Sequence, residues 1–111
     1  MWLFTQHGFV SAVAHRDNPG MLMVRARDRA SIEPLALAAS TEIVRTPDAD
    51  YPYRTTVTTS QFTSWCARQI DDIDYPNFKS RVHRNRGSNV VHSLHRVWEA
   101  MRDTEDADAR S

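Results

Sequence analysis

Between Tyr53 and Ile73 the apolar residues change period once. Tyr53, Thr55, Val57 and Thr59 alternate with Arg54, Thr56 and Thr58, the repeat of two that marks a strand with one buried face. From Phe62 the spacing lengthens, and Phe62, Trp65, Cys66, Ile70 and Ile73 fall on one side of a helix capped at Ser60. Two amphipathic elements joined without a loop bury both apolar faces only if the helix folds back across a sheet that contains the strand. A Tyr-Pro step closes the unit at each end, Tyr51-Pro52 and Tyr75-Pro76. Proline fixes φ and holds the preceding residue extended, so each step is a stiff connector. Each lies in a similar phrase, Asp50-Tyr51-Pro52-Tyr53-Arg54 and Asp74-Tyr75-Pro76-Asn77-Phe78-Lys79. The first feeds a strand and the second ends a helix, so the likeness reads as punctuation and not as an internal repeat.

The flanking sequence completes the layers. Residues 2–15 are extended, as one long strand or two short ones broken at Gly8. Asp17-Asn18-Pro19-Gly20 is a turn, after which Leu22, Val24 and Ala26 alternate with Met23, Arg25 and Arg27 as a second strand. Asp28 or Ser31 caps the next helix, and Pro34, suited to a first turn, favours Ser31. Glu42 to Arg45 is a brief third strand, and Tyr53–Thr59 the fourth. Asn77 opens a short helix through Phe78 and Val82, stopped by Gly87. A last helix from Ser88 or Asn89 carries Val90, Val91, Leu94, Val97, Trp98 and Met101 on one face. Trp2, Trp65 and Trp98 are expected in core or helix–sheet contacts. The order ββαββαα predicts an α+β fold: a four-stranded antiparallel sheet with helices on one face, over residues 1–103. In the spatial order 1-2-4-3 it is a circularly permuted ferredoxin-like sandwich. Residues 104–111 read as an acidic flexible tail.

Composition narrows the function classes. A chain of 111 residues, 41% hydrophobic and 25% charged, is long enough for one unstapled core. A single cysteine, Cys66, excludes an internal disulfide and fits a reducing cytoplasm. No apolar run approaches the ~18 residues of a membrane span, and Met1-Trp2-Leu3-Phe4 lacks the basic start of a secretory signal. The net charge of zero is unevenly spread. Residues 75–102 hold Lys79 and five arginines against Glu99 alone, whereas residues 41–74 and the tail are acidic.

Several phrases recur in a fixed order: Met1-Trp2-Leu3-Phe4 with Gly8-Phe9, Val24-Arg25-Ala26-Arg27, Thr46-Pro47 with Ala49-Asp50-Tyr51, Asp74-Tyr75 with Asn77-Phe78-Lys79, and Val97-Trp98-Glu99-Ala100-Met101. In these the chain resembles a small family of proteins from bacteria and actinobacterial phages that has no established function. The resemblance spans residues 1–101. It implies a stand-alone cytoplasmic domain, in the host cytoplasm if phage-encoded, and brings no catalytic residues with it.

The residues themselves support three readings. The first is a small non-enzymatic binding or regulatory domain that contacts a protein partner, a host component if the gene is phage-borne. It would work through Tyr51, Tyr53, Arg54, Tyr75 and the cluster that follows. The alternative is nucleic-acid binding by Lys79, Arg81, Arg84 and Arg86, on a helix whose Phe78 and Val82 face inward. A sheet-face version would use Met23, Arg25, Arg27, Arg54, Thr56 and Thr58, but the two central strands put no aromatic there for a base to stack on. The third is a phosphodiesterase or nuclease, which requires His7, His15, His83, His92 and His95 to converge. No HExxH, CxxC or calcium-loop spacing occurs, so neither metal nor cofactor is expected. Cys66, beside Trp65 in the apolar stripe, reads as a core thiol. Self-association through the short third strand or the open sheet face is a further option.

Overall fold

The computed structural model describes the backbone of residues 1–73 and 78–110, and side chains through residue 105. Its first two strands arise from a glycine. Gly8 has φ +131°, a region that glycine alone enters cheaply, and the chain doubles back there. β1 (Trp2–Thr5) and β2 (Gly8–Ala14) pair antiparallel, Trp2 opposite Ser11 and Phe4 opposite Phe9. The remaining elements are β3 (Met21–Ala26), α1 (Arg29–Ala39), β4 (Val44–Arg45), β5 (Tyr53–Thr58), α2 (Thr59–Asp71), α3 (Phe78–Arg86) and α4 (Ser88–Arg110). The described residues therefore form a five-stranded sheet where four strands are expected, because the first strand is a hairpin. Its order is β1-β2-β3-β5-β4, antiparallel throughout.

Alternation along the strands turns Val10, Ala12, Val24, Ala26 and Val57 to one face. Ile32 and Leu35 of α1 and Phe62 and Trp65 of α2 close over them. Each of the buried Val, Ile, Leu and Phe side chains is worth about 1.5–3 kcal/mol, the alanines less. The cap of α1 is Asp28, whose carboxylate accepts from the Ser31 amide, not Ser31 as expected. Ser31 is buried instead, where its hydroxyl accepts from the Phe9 amide and from Arg86. Pro34 consequently lies inside α1, at the cost of one helical hydrogen bond. α2 opens with a reciprocal box in which Thr58 and Gln61 each bond the other's backbone amide, two residues ahead of the expected Ser60.

Helices on one face hold for α1 and α2 but not for α4. Gly87, at φ +83°, ends α3 and redirects the chain. α4 then packs on α3 and runs beside the opposite face, where Val90, Leu94 and Val97 share a groove with Trp2, Phe4, Phe9 and Tyr51. Of the three tryptophans expected in the core, Trp65 is buried, whereas Trp2 and Trp98 are exposed. Val82 is fully buried as expected, but Phe78, Ile70 and Ile73 are exposed. α4 continues through Arg110, over most of the stretch read as a tail. Glu105, Ala107 and Ala109 there are good helix formers. No helix among the described residues is long and apolar enough to cross a membrane.

Candidate binding face

The hairpin at Gly8 places aromatic residues where the central strands have none. Because paired residues point to the same side, the register defines a row across the face away from the core: Trp2 opposite Ser11, Ser11 opposite Arg25, Arg25 opposite Arg54. Phe4 and Phe9 form the next row, which Arg27 continues as the following alternate position after Arg25. Strands lie ~4.8 Å apart, so Trp2 and Arg54 stand ~14 Å from each other along the row.

These side chains touch. Phe9 stacks on Phe4 at 4.6 Å between ring centroids and meets Trp2 edge-on at 5.7 Å. Tyr51, from the loop before β5, leans on Phe9 at 6.3 Å. The guanidinium groups of Arg25 and Arg27 lie 4.6 and 4.9 Å from the centre of the Tyr51 ring. Arg25 donates to the Ser11 hydroxyl (3.0 Å), Arg27 to the Asp50 carbonyl (3.1 Å) and Arg54 Nε to the Tyr51 carbonyl (3.2 Å). None of the three pairs with a carboxylate among the described residues, and Arg25 Nε is buried with no partner. No residue of any of the five strands is acidic. The wall of α4 completes a groove of ≈ 330 Å³.

Tyr51 and Arg54 of the expected contact residues thus come together here. Tyr53 does not. It points to the core face, packs against the core cluster and carries the Arg45 guanidinium 5.8 Å from its ring. Tyr75 lies outside the described residues. The basic segment is divided among different tasks. Arg86 pairs with Asp28 (2.7 Å) and donates to the His7 carbonyl (2.7 Å) and to the Ser31 hydroxyl (3.0 Å), which leaves its side chain 14% exposed. Arg81 is half-buried and donates to the Asp72 carbonyl. Lys79 lies 5.9 Å from the Trp98 ring, and Arg84 is exposed. Two of the four cations expected to project outward are therefore turned to internal contacts. The residues that sequence reasoning missed are Trp2, Phe4 and Phe9. Treating Gly8 as a reversal puts them in register with Arg25 and Arg27.

The histidines are spread out. His7 precedes β2 and His15 follows it, so they stand at opposite ends of a seven-residue strand, ~25 Å apart. Burial lowers the affinity of His7 for a proton, with Asp72 opposing and Arg86 adding to the effect. His15 Nδ1 accepts from the amides of Asp17 and Asn18. His95 stacks on Trp98 and lies 3.2 Å from Glu99. Among the described residues no three His, Cys, Asp or Glu side chains are grouped to hold a metal ion. Cys66 is half-buried, and burial raises its thiol above the ordinary range. It lines a second, mainly apolar hollow of ≈ 380 Å³ with Leu3, Ile70 and Phe78. No family model matches the chain, and neither does any curated protein or solved structure.

Proposed function

We propose that the chain is a non-enzymatic binding domain whose ligand lies across the aromatic–arginine face, from Arg25 and Arg54 to the adjoining groove that Trp2, Phe9, Arg27 and Tyr51 form with α4. The observation that carries this reading is the row Trp2–Ser11–Arg25–Arg54, in which two arginines stand directly opposite each other on an acid-free sheet. Like charges across a ladder destabilise it. Neither forms an ion pair with a carboxylate among the described residues, Glu42 only sharing a hollow with Arg54, and in this reading an anionic ligand supplies the balancing charge. Exposed aromatic surface beside guanidinium groups that have no carboxylate partner is typical of contact surfaces, where aromatic residues and arginine are enriched.

We read the frame as a permuted ferredoxin-like sheet with one strand added, a view supported by the order β2-β3-β5-β4 beneath the edge strand β1. The working compartment in this reading is the cytoplasm, that of a host if the gene is phage-borne. A protein partner is the second reading, and the exposed Val97, Trp98 and Met101 of α4 favour it.

The test is amide shift mapping with ¹⁵N-labelled protein, using a single-stranded oligonucleotide and a polyglutamate peptide as probes. Shifts concentrated at Trp2, Arg25, Tyr51 and Arg54 with either probe are expected. Shifts confined to residues 79–86, or none with either probe, refute the assignment. Phosphodiester turnover that is lost in His7→Gln would replace it with the enzyme reading.

A further inference from the structure

Resting on that binding face, we infer that its ligand is a single-stranded nucleic acid, with bases stacked on Trp2 and Phe4 and phosphates held by Arg25, Arg27 and Arg54. The argument is one of complementarity. A single strand repeats a planar ring and an anionic phosphate, and this face repeats an aromatic and a guanidinium along its rows. Trp2, at 69% exposure, offers an open ring face, while Phe4 is more shielded. Base stacking on such rings tolerates any sequence, because every base has a π face. Arg25, Arg27 and Arg54 belong to the same face with no carboxylate partner among the described residues.

A duplex fits poorly, since its bases are already stacked and their ring faces closed. The groove of ≈ 330 Å³ lies at the small end of ligand pockets, suited to single bases. An acidic peptide would satisfy the arginines and leave the exposed rings without partners. Lys79 and Arg84 stand apart on α3 and do not belong to the site.

The experiment is fluorescence anisotropy with labelled dT and U oligonucleotides of twenty residues, a DNA duplex of the same length, and labelled polyglutamate, at 50 and 200 mM salt. Three phosphate contacts on a single strand give a slope of about −2 in log affinity against log salt. Single strands are therefore expected to bind about 20-fold more weakly at the higher salt, and more tightly than duplex at both. The dT and U arms separate DNA from RNA as the source of the strand. Trp2→Ala is expected to weaken binding at least about fivefold, the lower bound for a stacked base. Arg25→Gln is expected to reduce the slope by about 0.7. Lys79→Gln/Arg84→Gln is expected to leave affinity within about twofold.

Circular dichroism and urea unfolding of each variant separate loss of contact from loss of fold. The inference is overturned by equal binding of duplex, by indifference to Trp2→Ala and Arg25→Gln in folded protein, or by loss in the Lys79/Arg84 variant instead. Polyglutamate bound at the face while oligonucleotides are not would overturn it and leave the binding-face reading standing. No ligand at the face overturns both.

Discussion

Replacing Arg86 with alanine should destabilise the protein far more than removal of a surface cation does. The guanidinium ties α3 to three groups at two places: the Asp28 cap and buried Ser31 hydroxyl of α1, and the His7 carbonyl at the reversal between β1 and β2. Charge-assisted hydrogen bonds contribute roughly 1.5–3 kcal/mol each. Truncation would not forfeit that sum, because Asp28 is 51% exposed and regains water once its partner is gone. The His7 carbonyl and Ser31 hydroxyl are less well placed to recover. Arg86→Ala should therefore cost about 2–4 kcal/mol, against about 0–1 kcal/mol for a surface ion pair. Arg86→Lys keeps the charge but not the fork and should recover about half. Asp28→Asn retains a good cap and loses the ion pair, at about 1 kcal/mol. Urea unfolding of the three variants and of the Arg86→Ala/Asp28→Ala pair supplies the numbers. An Arg86→Ala change below about 0.5 kcal/mol, within the usual range for surface substitutions, would refute the assignment of Arg86 as a strut.

Other outcomes follow from the same contacts. His7 in the folded chain binds its proton less readily than in the unfolded chain, because burial outweighs the opposing Asp72. Its contribution to stability is therefore full above the unfolded value of about 6.5 and is lost as pH falls through the folded value. His7→Gln should abolish that fall in a series of unfolding curves from pH 7.5 to 5. Asp28 adds a second, lower window. Burial pushes its carboxyl up, but the Ser31 hydrogen bonds and Arg86 outweigh it and leave it lowered. That stability is present above about pH 4 and disappears on further acidification. Gly8→Ala should cost about 2–4 kcal/mol, since a Cβ at φ +131° would meet Ser31 Oγ and Arg86 Nη1. Denaturation midpoints measure it. Cys66, its thiol raised by burial, should alkylate with iodoacetamide at pH 8 more slowly than the same thiol in the unfolded chain.

The change of period between Tyr53 and Phe62 and the turn before Met21 were legible in the sequence because each is local, though the helix cap is Thr58 and not the expected Ser60. Alternation from Tyr53 and helical spacing from Phe62 are set by neighbouring residues, and β5 and α2 begin within two residues of where those patterns put them, although Ile70 and Ile73 at the far end are exposed. The order β2-β3-β5-β4 is the 1-2-4-3 arrangement expected from the sequence, with β1 added at the edge. What escaped depended on distant partners. Gly8 signals a break, but only pairing with β2 shows that the break is a full reversal that brings Trp2 and Phe4 beside Phe9. Ser31 looked like a cap until Arg86, 55 residues away, claimed its hydroxyl. Arg86 itself looked like one cation of a surface cluster, because charge patterning cannot tell an arginine facing Asp28 from one facing water. The binding face was missed for the same reason: its aromatics and its arginines come from different strands.

The central claim is that Arg25 and Arg54 are opposed for the benefit of a ligand and not of the fold. Arg54→Thr separates those roles, since threonine suits a strand and relieves the repulsion while giving up one bond to the Tyr51 carbonyl. The decisive measurement is the affinity of this variant for a single-stranded dT oligonucleotide, set beside its free energy of unfolding. The account predicts unfolding within about 0.5 kcal/mol of the parent and affinity reduced severalfold. Destabilisation above about 2 kcal/mol with affinity unchanged would contradict it, and would make the arginine row a structural device.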